Sequence, residues 1–442
     1  MINVRSTRAI VLLAFTLALW PRAGAAQAVK TYTLDEMQQL AATYYQAVGI
    51  SRAQVDQARE MERMAFAARL PSITSQGVVT TNVITASLTF NDFKIDIMPR
   101  VDYQAVVSAV QPIFTGFRLE NGHRQAKLAI EAARTGLAVT VQETVLAATQ
   151  AYYAVLGLQD NVEISRRAVT LAQQTMRTAE SLFRAGETVE TSVLRARVAE
   201  SDARRELLVA ENALILARQQ LMLLTGVTGD FELMRPEATR PIDTPLEDLI
   251  KQGLAARPEL QALALQRQIA GLEIDKQRGQ WYPTVQAQAV YQRQKATFPS
   301  SQLASVAVNA VWPIFEGGRR KAAVANARLQ LTEAGLQEEL AARQASEQIR
   351  RAYLAMQTLD ASVQILKSQV EVARRNADET GRAYAVGEAT DLDVLQSNNA
   401  LTQSERQLAQ ATYQYEVAIC DLQRAVGTFA ADLVPRAAGG QE

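Results

Sequence analysis

The longest patterned stretches of the chain are helical. Apolar residues recur every seven positions at Val162, Val169, Met176 and Phe183, and again at Val363, Val370, Ala377 and Tyr384. The runs that follow repeat the spacing, with Leu207, Leu214 and Leu221 answered by Leu408, Tyr415 and Leu422. A seven-residue apolar period specifies a coiled-coil seam, and the intervening Arg, Glu, Gln and Ala are strong helix formers. No proline interrupts residues 117–183 or 318–384. At ~1.5 Å rise per residue, each run would reach about 100 Å. So narrow a stripe on so long a helix buries little within one chain, which predicts packing against further copies or partners. Shorter helical patterns run from the cap-like Thr33-Leu34-Asp35-Glu36 to about Ala68, ahead of Pro71, and from Leu246 to Ala256; Pro258 suits the first turn of the next helix.

Between the helical runs the period falls to two. Val101, Tyr103, Ala105, Val107 and Ala109 share one face, with Asp102, Gln104 and Ser108 on the other. Val285, Ala287, Ala289 and Tyr291 alternate with Gln286, Gln288 and Gln292, and Val306, Val308, Ala310 and Trp312 with Ser305, Ala307 and Asn309. With the Ser-, Thr- and Val-rich residues 72–90 these make four strand-like segments, near the ~10-residue length that crosses a bilayer. By pattern alone they also fit half-buried strands of a soluble sheet. Two features favour the membrane. The polar faces are mostly Gln, Ser and Asn rather than charge, as suits a wet lumen, and the helices are too long to fold back over a soluble sheet.

The chain is built twice over. Phe183-Arg184-Ala185-Gly186-Glu187 is matched 201 residues on by Tyr384-Ala385-Val386-Gly387-Glu388, and Gln111-Pro112-Ile113-Phe114 by Trp312-Pro313-Ile314-Phe315 at the same spacing. Upstream, Pro71 and Pro283 lie 212 apart, so the first copy holds 11 extra residues between Pro71 and Pro112. Gly186 and Gly387 can end a helix in a positive-φ conformation, and Thr390 or Asp391 suits the N-cap that follows. Each site reads as the tip of a helical hairpin. The first repeat spans 29–226: strand pair 72–113, long helix 117–183, tip 184–191 and outgoing helix 192–225. A connector over 227–244 is rich in loop formers. The second repeat spans 245–427: strand pair 283–313, long helix 318–384, tip 385–391 and outgoing helix 392–426, before a flexible tail over 428–442.

Composition narrows the function. Arg5 and Arg8, the apolar run Ile10 to Leu19 and the small residues through Ala26-Gln27-Ala28 follow the order of a cleaved secretory signal peptide, expected over 1–28. That run is too short to span a bilayer as a helix, and no other run is expected to do so. Lys+Arg and Asp+Glu both number 46, so losing Arg5, Arg8 and Arg22 leaves a mature charge near −3, which favours no nucleic acid. The lone Cys420 excludes an intrachain disulfide and lies too far from the cleavage site to carry an N-terminal lipid. His123 is the sole histidine, expected as a surface or packing residue. No Cys/His metal set, Ser–His or Cys–His couple or glycine-rich phosphate loop is present. Carboxylate pairs such as Glu338-Glu339 read as a solvated helix face. No enzyme, metal or cofactor is expected.

With these features the chain resembles the TolC-like outer-membrane efflux family over nearly all of its mature length. The resemblance is carried by Val386-Gly387-Glu388-Ala389-Thr390-Asp391-Leu392-Asp393-Val394-Leu395, Trp312-Pro313-Ile314-Phe315-Glu316-Gly317-Gly318 and Ala256-Arg257-Pro258-Glu259-Leu260, in that family's order and spacing. It implies a mainly α fold with membrane β. A long α-helical coiled-coil barrel would stand beside four transmembrane β-strands per chain, which complete a twelve-stranded β-barrel in a homotrimer. It also implies an outer-membrane location reaching into the periplasm, and an outer loop around Asn91 to Arg100 for the extra residues. The expected function is the exit duct of a tripartite efflux system, with a periplasmic adaptor and an inner-membrane pump as partners. A protein secretion outlet and, from another class, a non-conducting periplasmic coiled coil are the alternatives. In the resemblance Tyr384 and Asp393 line the periplasmic gate, Thr191 bonds Tyr384, and Asp391 adds an acidic pore group. Gly186, Glu187, Gly387, Glu388 and Leu395 would dock the adaptor. Gln396, Ala389 and Ser192 stand where the family carries a second aspartate, a locking arginine and its acidic partner, so those contacts are absent.

Overall fold

The computed structural model describes residues 30–90, 93–98, 100–237, 242–295 and 301–434. The expected leader over 1–28 lies outside them. Strand β1 (Lys30–Tyr32) leads into helix α1 (Leu34–Tyr44), started by a reciprocal capping box: Thr33 Oγ1 accepts from Glu36 N–H at 3.2 Å, and Glu36 Oε2 from Thr33 N–H at 2.9 Å. Helix α2 (Gln46–Ala67) stops ahead of Pro71. Strands β2 (Ser72–Thr81), β3 (Ala86–Phe90), β4 (Phe93–Met98) and β5 (Val101–Phe114) follow, then the hairpin of α3 (Arg118–Ala185) and α4 (Glu190–Thr225). After β6 (Phe231–Leu233) the plan repeats with α5 (Leu246–Ala256), α6 (Pro258–Arg278), β7 (Thr284–Lys295), β8 (Ser301–Val311), α7 (Arg319–Ala385) and α8 (Asp391–Val426).

The second hairpin shows why the seven-residue spacing matters. Ile349, Met356, Val363, Val370, Ala377 and Tyr384 of α7 are all buried, and Tyr415, Ala418, Leu422 and Ala425 of α8 close the seam. The first hairpin keeps the seam less strictly. Val162 and Leu221 are buried, but Phe183 is exposed. Helix α4 also departs from the expectation that no further run is apolar enough to cross a membrane, since by length and composition it is. The physical reason is a double stripe: Leu214 and Leu221 pack with Tyr152 and Leu156 of α3 and Leu207 is half-buried, while Leu208, Ile215 and Leu223 stay exposed.

Strands β2, β5, β7 and β8 form one antiparallel sheet in that order, with Ser75, Val107, Tyr291 and Ala304 in one row. Ile73, Val107, Tyr291, Val306 and Val308 share one exposed face. The other face is knitted by side chains: Thr74 to Ser108 at 2.8 Å, Asn309 to Gln288 at 3.1 Å, and Gln294 to Asp102 at 2.6 Å.

Three further sequence expectations are corrected. The stretch expected as a loop around Asn91 to Arg100 contains β4, which pairs with β3 just before it in a separate two-stranded sheet; Ala86, Leu88 and Phe90 alternate with Ser87 and Thr89, and the β4 sequence alternates likewise. The connector contains β6, which pairs in parallel with β1; the buried Tyr152 hydroxyl holds both by donating to the carbonyls of Tyr32 (3.2 Å) and Met234. The tail begins docked, since Phe429 and Leu433 are buried among Val48, Val141 and Val145. Residues from 435 onward lie outside the described part of the chain. His123 does pack, buried between α2 and α3, with Nε2 2.5 Å from Glu62 and Nδ1 3.4 Å from Arg69.

Candidate functional site

Both hairpins turn on a left-handed glycine. Gly186 has φ 81° and Gly387 φ 78°. A Cβ at either would meet nothing within 4 Å, so backbone conformation alone selects glycine there. The first tip closes with Glu187 N–H donating to Leu182 O at 2.9 Å, the second with Glu388 N–H donating to Ala383 O at 2.8 Å. These bonds satisfy carbonyls that a helix end otherwise leaves unpaired. Gly186, Glu187, Gly387 and Glu388 are exposed at the tips.

Thr390, not Asp391, is the N-cap of α8. Its Oγ1 accepts from Asp393 N–H at 3.3 Å, and Asp393 Oδ2 accepts from the Thr390 hydroxyl at 2.7 Å and amide at 3.0 Å. The hydroxyl first, then the amide, holds the Asp393 carboxyl below its ordinary value. The residue itself stays exposed.

Asp391 is not a free acidic group within the chain. Arg195 of α4 reaches its Oδ2 at 3.0 Å, and the Asp391 side chain is only 11% exposed. This pair ties the start of α8 to the first hairpin. Tyr384 continues the buried seam of α7, and its hydroxyl has no hydrogen-bond partner among the described residues. Burial first and Asp391 second push its phenol above the ordinary value. The expected Thr191–Tyr384 bond is therefore not made in the chain: Thr191 is exposed while the ring points into the seam. Leu395 is half-buried and lines a groove of about 530 Å³ between α3, α4 and α8, with Leu171, Leu194 and Val198.

Sequence reasoning missed the contacts that join the two hairpins. Glu405 of α8 accepts from Arg374 of α7 at 2.8 Å and from Arg167 of α3 at 3.0 Å. Burial works to raise its carboxyl, but the bonds from Arg374 and then Arg167 leave it below the ordinary value. Arg406 donates to the buried Ser165 at 3.0 Å. No local signal marks Arg195 or Glu405, whose partners lie far away in sequence. Glu200 was findable: it falls seven residues before Leu207 on the seam series, is buried, and accepts from Gln173 at 3.4 Å.

Comparison with known proteins agrees with this architecture. The family described as Outer membrane efflux protein matches residues 39–227 and 249–428. The outer membrane efflux protein BepC of Brucella suis biovar 1 is 25% identical over 343 residues, covering 76% of this chain and 75% of its own. The alkaline protease secretion protein AprF of Pseudomonas aeruginosa is 25% identical over 378 residues, covering 81% and 76%. The CmeC outer membrane channel of Campylobacter jejuni superposes with a TM-score of 0.80 at 15% identity, covering 100% of this chain and 98% of CmeC, which shows a shared fold. With both repeats matched in their order along the sequence, the chain belongs to the outer membrane efflux protein family.

Proposed function

We propose that the chain is one of three identical subunits of a passive exit duct through the outer membrane. One observation carries this reading: the lateral order of elements is the same at every level, and the same two flanks are left open. The sheet runs β2-β5-β7-β8. Above the tips, α2 packs on α3, α3 on α6 and α6 on α7; towards the tips, α4 packs on α3, α3 on α8 and α8 on α7. One flank is thus β2, α2 and α4, and the other β8 and α7. Unpaired strand edges of this length are not tolerated in lipid and invite pairing with another copy. The open flanks also carry apolar stripes, Leu208 and Ile215 on α4 and Leu354, Ile365 and Val372 on α7. Setting β8 of each copy on β2 of the next would close both the barrel and the helical wall; with three copies, the number that the resemblance implies, the barrel has twelve strands.

In this assembly the tips form the periplasmic entrance. Asp393, exposed beside the turn, is assigned as the ring of negative charge there. The Arg195–Asp391 pair holds the hairpins together beneath it and Tyr384 fills the seam of the second, with Thr191 exposed beside the first tip. Gly186, Glu187, Gly387, Glu388 and the groove beside Leu395 are assigned to the helical hairpins of a periplasmic adaptor, which would connect the duct to an inner-membrane pump. Export of small molecules is the leading reading. The likeness to AprF supports a second one, the outlet of a protein secretion system. The test is conductance of the purified protein in a planar bilayer. Steady conductance that becomes less cation-selective in Asp393→Asn supports the duct; none, even after Asp391→Ala loosens the tips, refutes it.

A further inference from the structure

Both faces of the sheet carry their charge at one end. On the Gln- and Ser-rich face, Asp102 is the one ionisable residue among the described strand positions, and Gln294 engages it. The opposite face is built in rows. Gln111, Ala287 and Val308 form one; Ile73, Ala109, Ala289 and Val306 the next; then Ser75, Val107, Tyr291 and Ala304. The row beyond these is Gly77, Ala105, Arg293 and Gln302. Arg293 is exposed and has no ion pair or hydrogen bond among the described residues. Its neighbours towards β2 are too small to cover it, and a Cβ added at Gly77 would meet nothing within 4 Å. Further along the strands, Tyr103 is in register with Lys295.

The depth of this row can be worked from the strand. Exposed Trp281, Tyr282, Trp312 and Phe315 mark the end of the sheet nearest the helices, as interfacial aromatics do. Nine residues separate Thr284 from Arg293. At ~3.3 Å per residue and a tilt of ~40°, they climb about 23 Å, close to the ~25 Å height of an apolar barrel band. Arg293 therefore stands where hydrocarbon gives way to the headgroups of the outer leaflet. A lipid-facing arginine is costly at the midplane of a bilayer and tolerated at its border.

We propose that Arg293, with the Gln302 amide beside it, is a binding site for a phosphate group carried by an outer-leaflet lipid. A guanidinium fork matches phosphate oxygens bidentately. The open notch left by Gly77 and Ala105 admits a headgroup, and Gln302 supplies a further donor. Tyr291 and Val107, one row deeper, border the first segments of its acyl chains. This rests on the reading of the sheet as membrane-spanning.

The test uses the full-length protein in phosphatidylethanolamine nanodiscs doped with one of three lipids. These are a diphosphorylated glucosamine glycolipid, its dephosphorylated form, and phosphatidylglycerol, and native mass spectrometry counts the lipid retained. Retention of the phosphorylated glycolipid should exceed that of the dephosphorylated form by about tenfold. R293Q should abolish the difference, R293K should keep part of it, and R100Q should leave it unchanged. An R293Q-sensitive preference for phosphatidylglycerol supports the same site with a phospholipid as the source of phosphate. Equal retention of all three lipids by the wild type, or wild-type retention by R293Q, overturns the site. Failure of the wild type to enter discs at all would overturn the membrane sheet beneath it.

Discussion

Removing either member of the Arg195–Asp391 pair should loosen the tips, but by different amounts. Arg195 is 53% exposed and Asp391 11%. Arg195→Ala leaves a largely dehydrated carboxylate without its cation. That should cost about 2 kcal/mol, between the ~0.2–1 of an exposed pair and the ~3–5 of a broken buried one. Asp391→Asn leaves a half-exposed guanidinium that water can solvate, at a cost of about 1 kcal/mol. At ~1.4 kcal/mol per tenfold, opening of the tips should rise roughly 30-fold in the first variant and 5-fold in the second. The double variant has no stranded carboxylate, so its cost should match Asp391→Asn rather than the sum of the two. Hydrogen exchange of backbone amides at 187–194 and 388–395 in the detergent-extracted protein measures this directly. Equal effects of the single variants, or additive effects in the double, would show that the pair does not hold the hairpins together.

Other perturbations separate the local devices. Thr390→Ala removes the capping box and should cost about 1 kcal/mol, read as faster exchange in the first turn of α8 and little change elsewhere. Gly387→Ala pays only the left-handed backbone strain, about 1–2 kcal/mol, whereas Gly116→Ala should cost at least about 3. At Gly116 φ is also positive, and a Cβ would lie 2.2 Å from the Gly279 carbonyl oxygen; melting of the two variants ranks them. Glu405 has its carboxyl lowered from an ordinary 4.5 in the fold. Its stabilising contribution is thus present above that value and lost as pH falls through the lower, folded one. Glu405→Gln should flatten the acid limb of a stability–pH profile below about 4.5, and an unchanged limb would count against the arginine clasp.

Much of this molecule can be read from periodicity because its elements are long and twice repeated. The period of two assigns faces to β5, β7 and β8 before any register is known, and the paired tips announce themselves through Gly186 and Gly387. The same reading treats the stretch around Asn91 to Arg100 as loop, since the six-residue β4 carries little pattern and the repeat supplies no second copy of it. It places Phe183 on a buried series that is followed only loosely in the first hairpin, where Gln173 of α3 and the buried Glu200 of α4 bring a polar contact into the seam. The Arg195–Asp391 and Glu405 contacts are not legible at all. They depend on how one hairpin leans on the other, and a charged residue on a helix surface looks the same with or without a partner. Asp393 shows the remaining ambiguity: an aspartate three residues after a threonine is a cap by spacing alone, and its exposure is what the entrance role proposed for it rests on.

The pooling of strands between copies is tested most directly by the mass of the mature protein extracted from membranes in detergent, corrected for bound detergent by light scattering. Three times the mass of one mature chain, with the trimer lost in an Ile365→Glu, Ile215→Glu double variant, is the predicted result. A monomer that dissolves without detergent would contradict it.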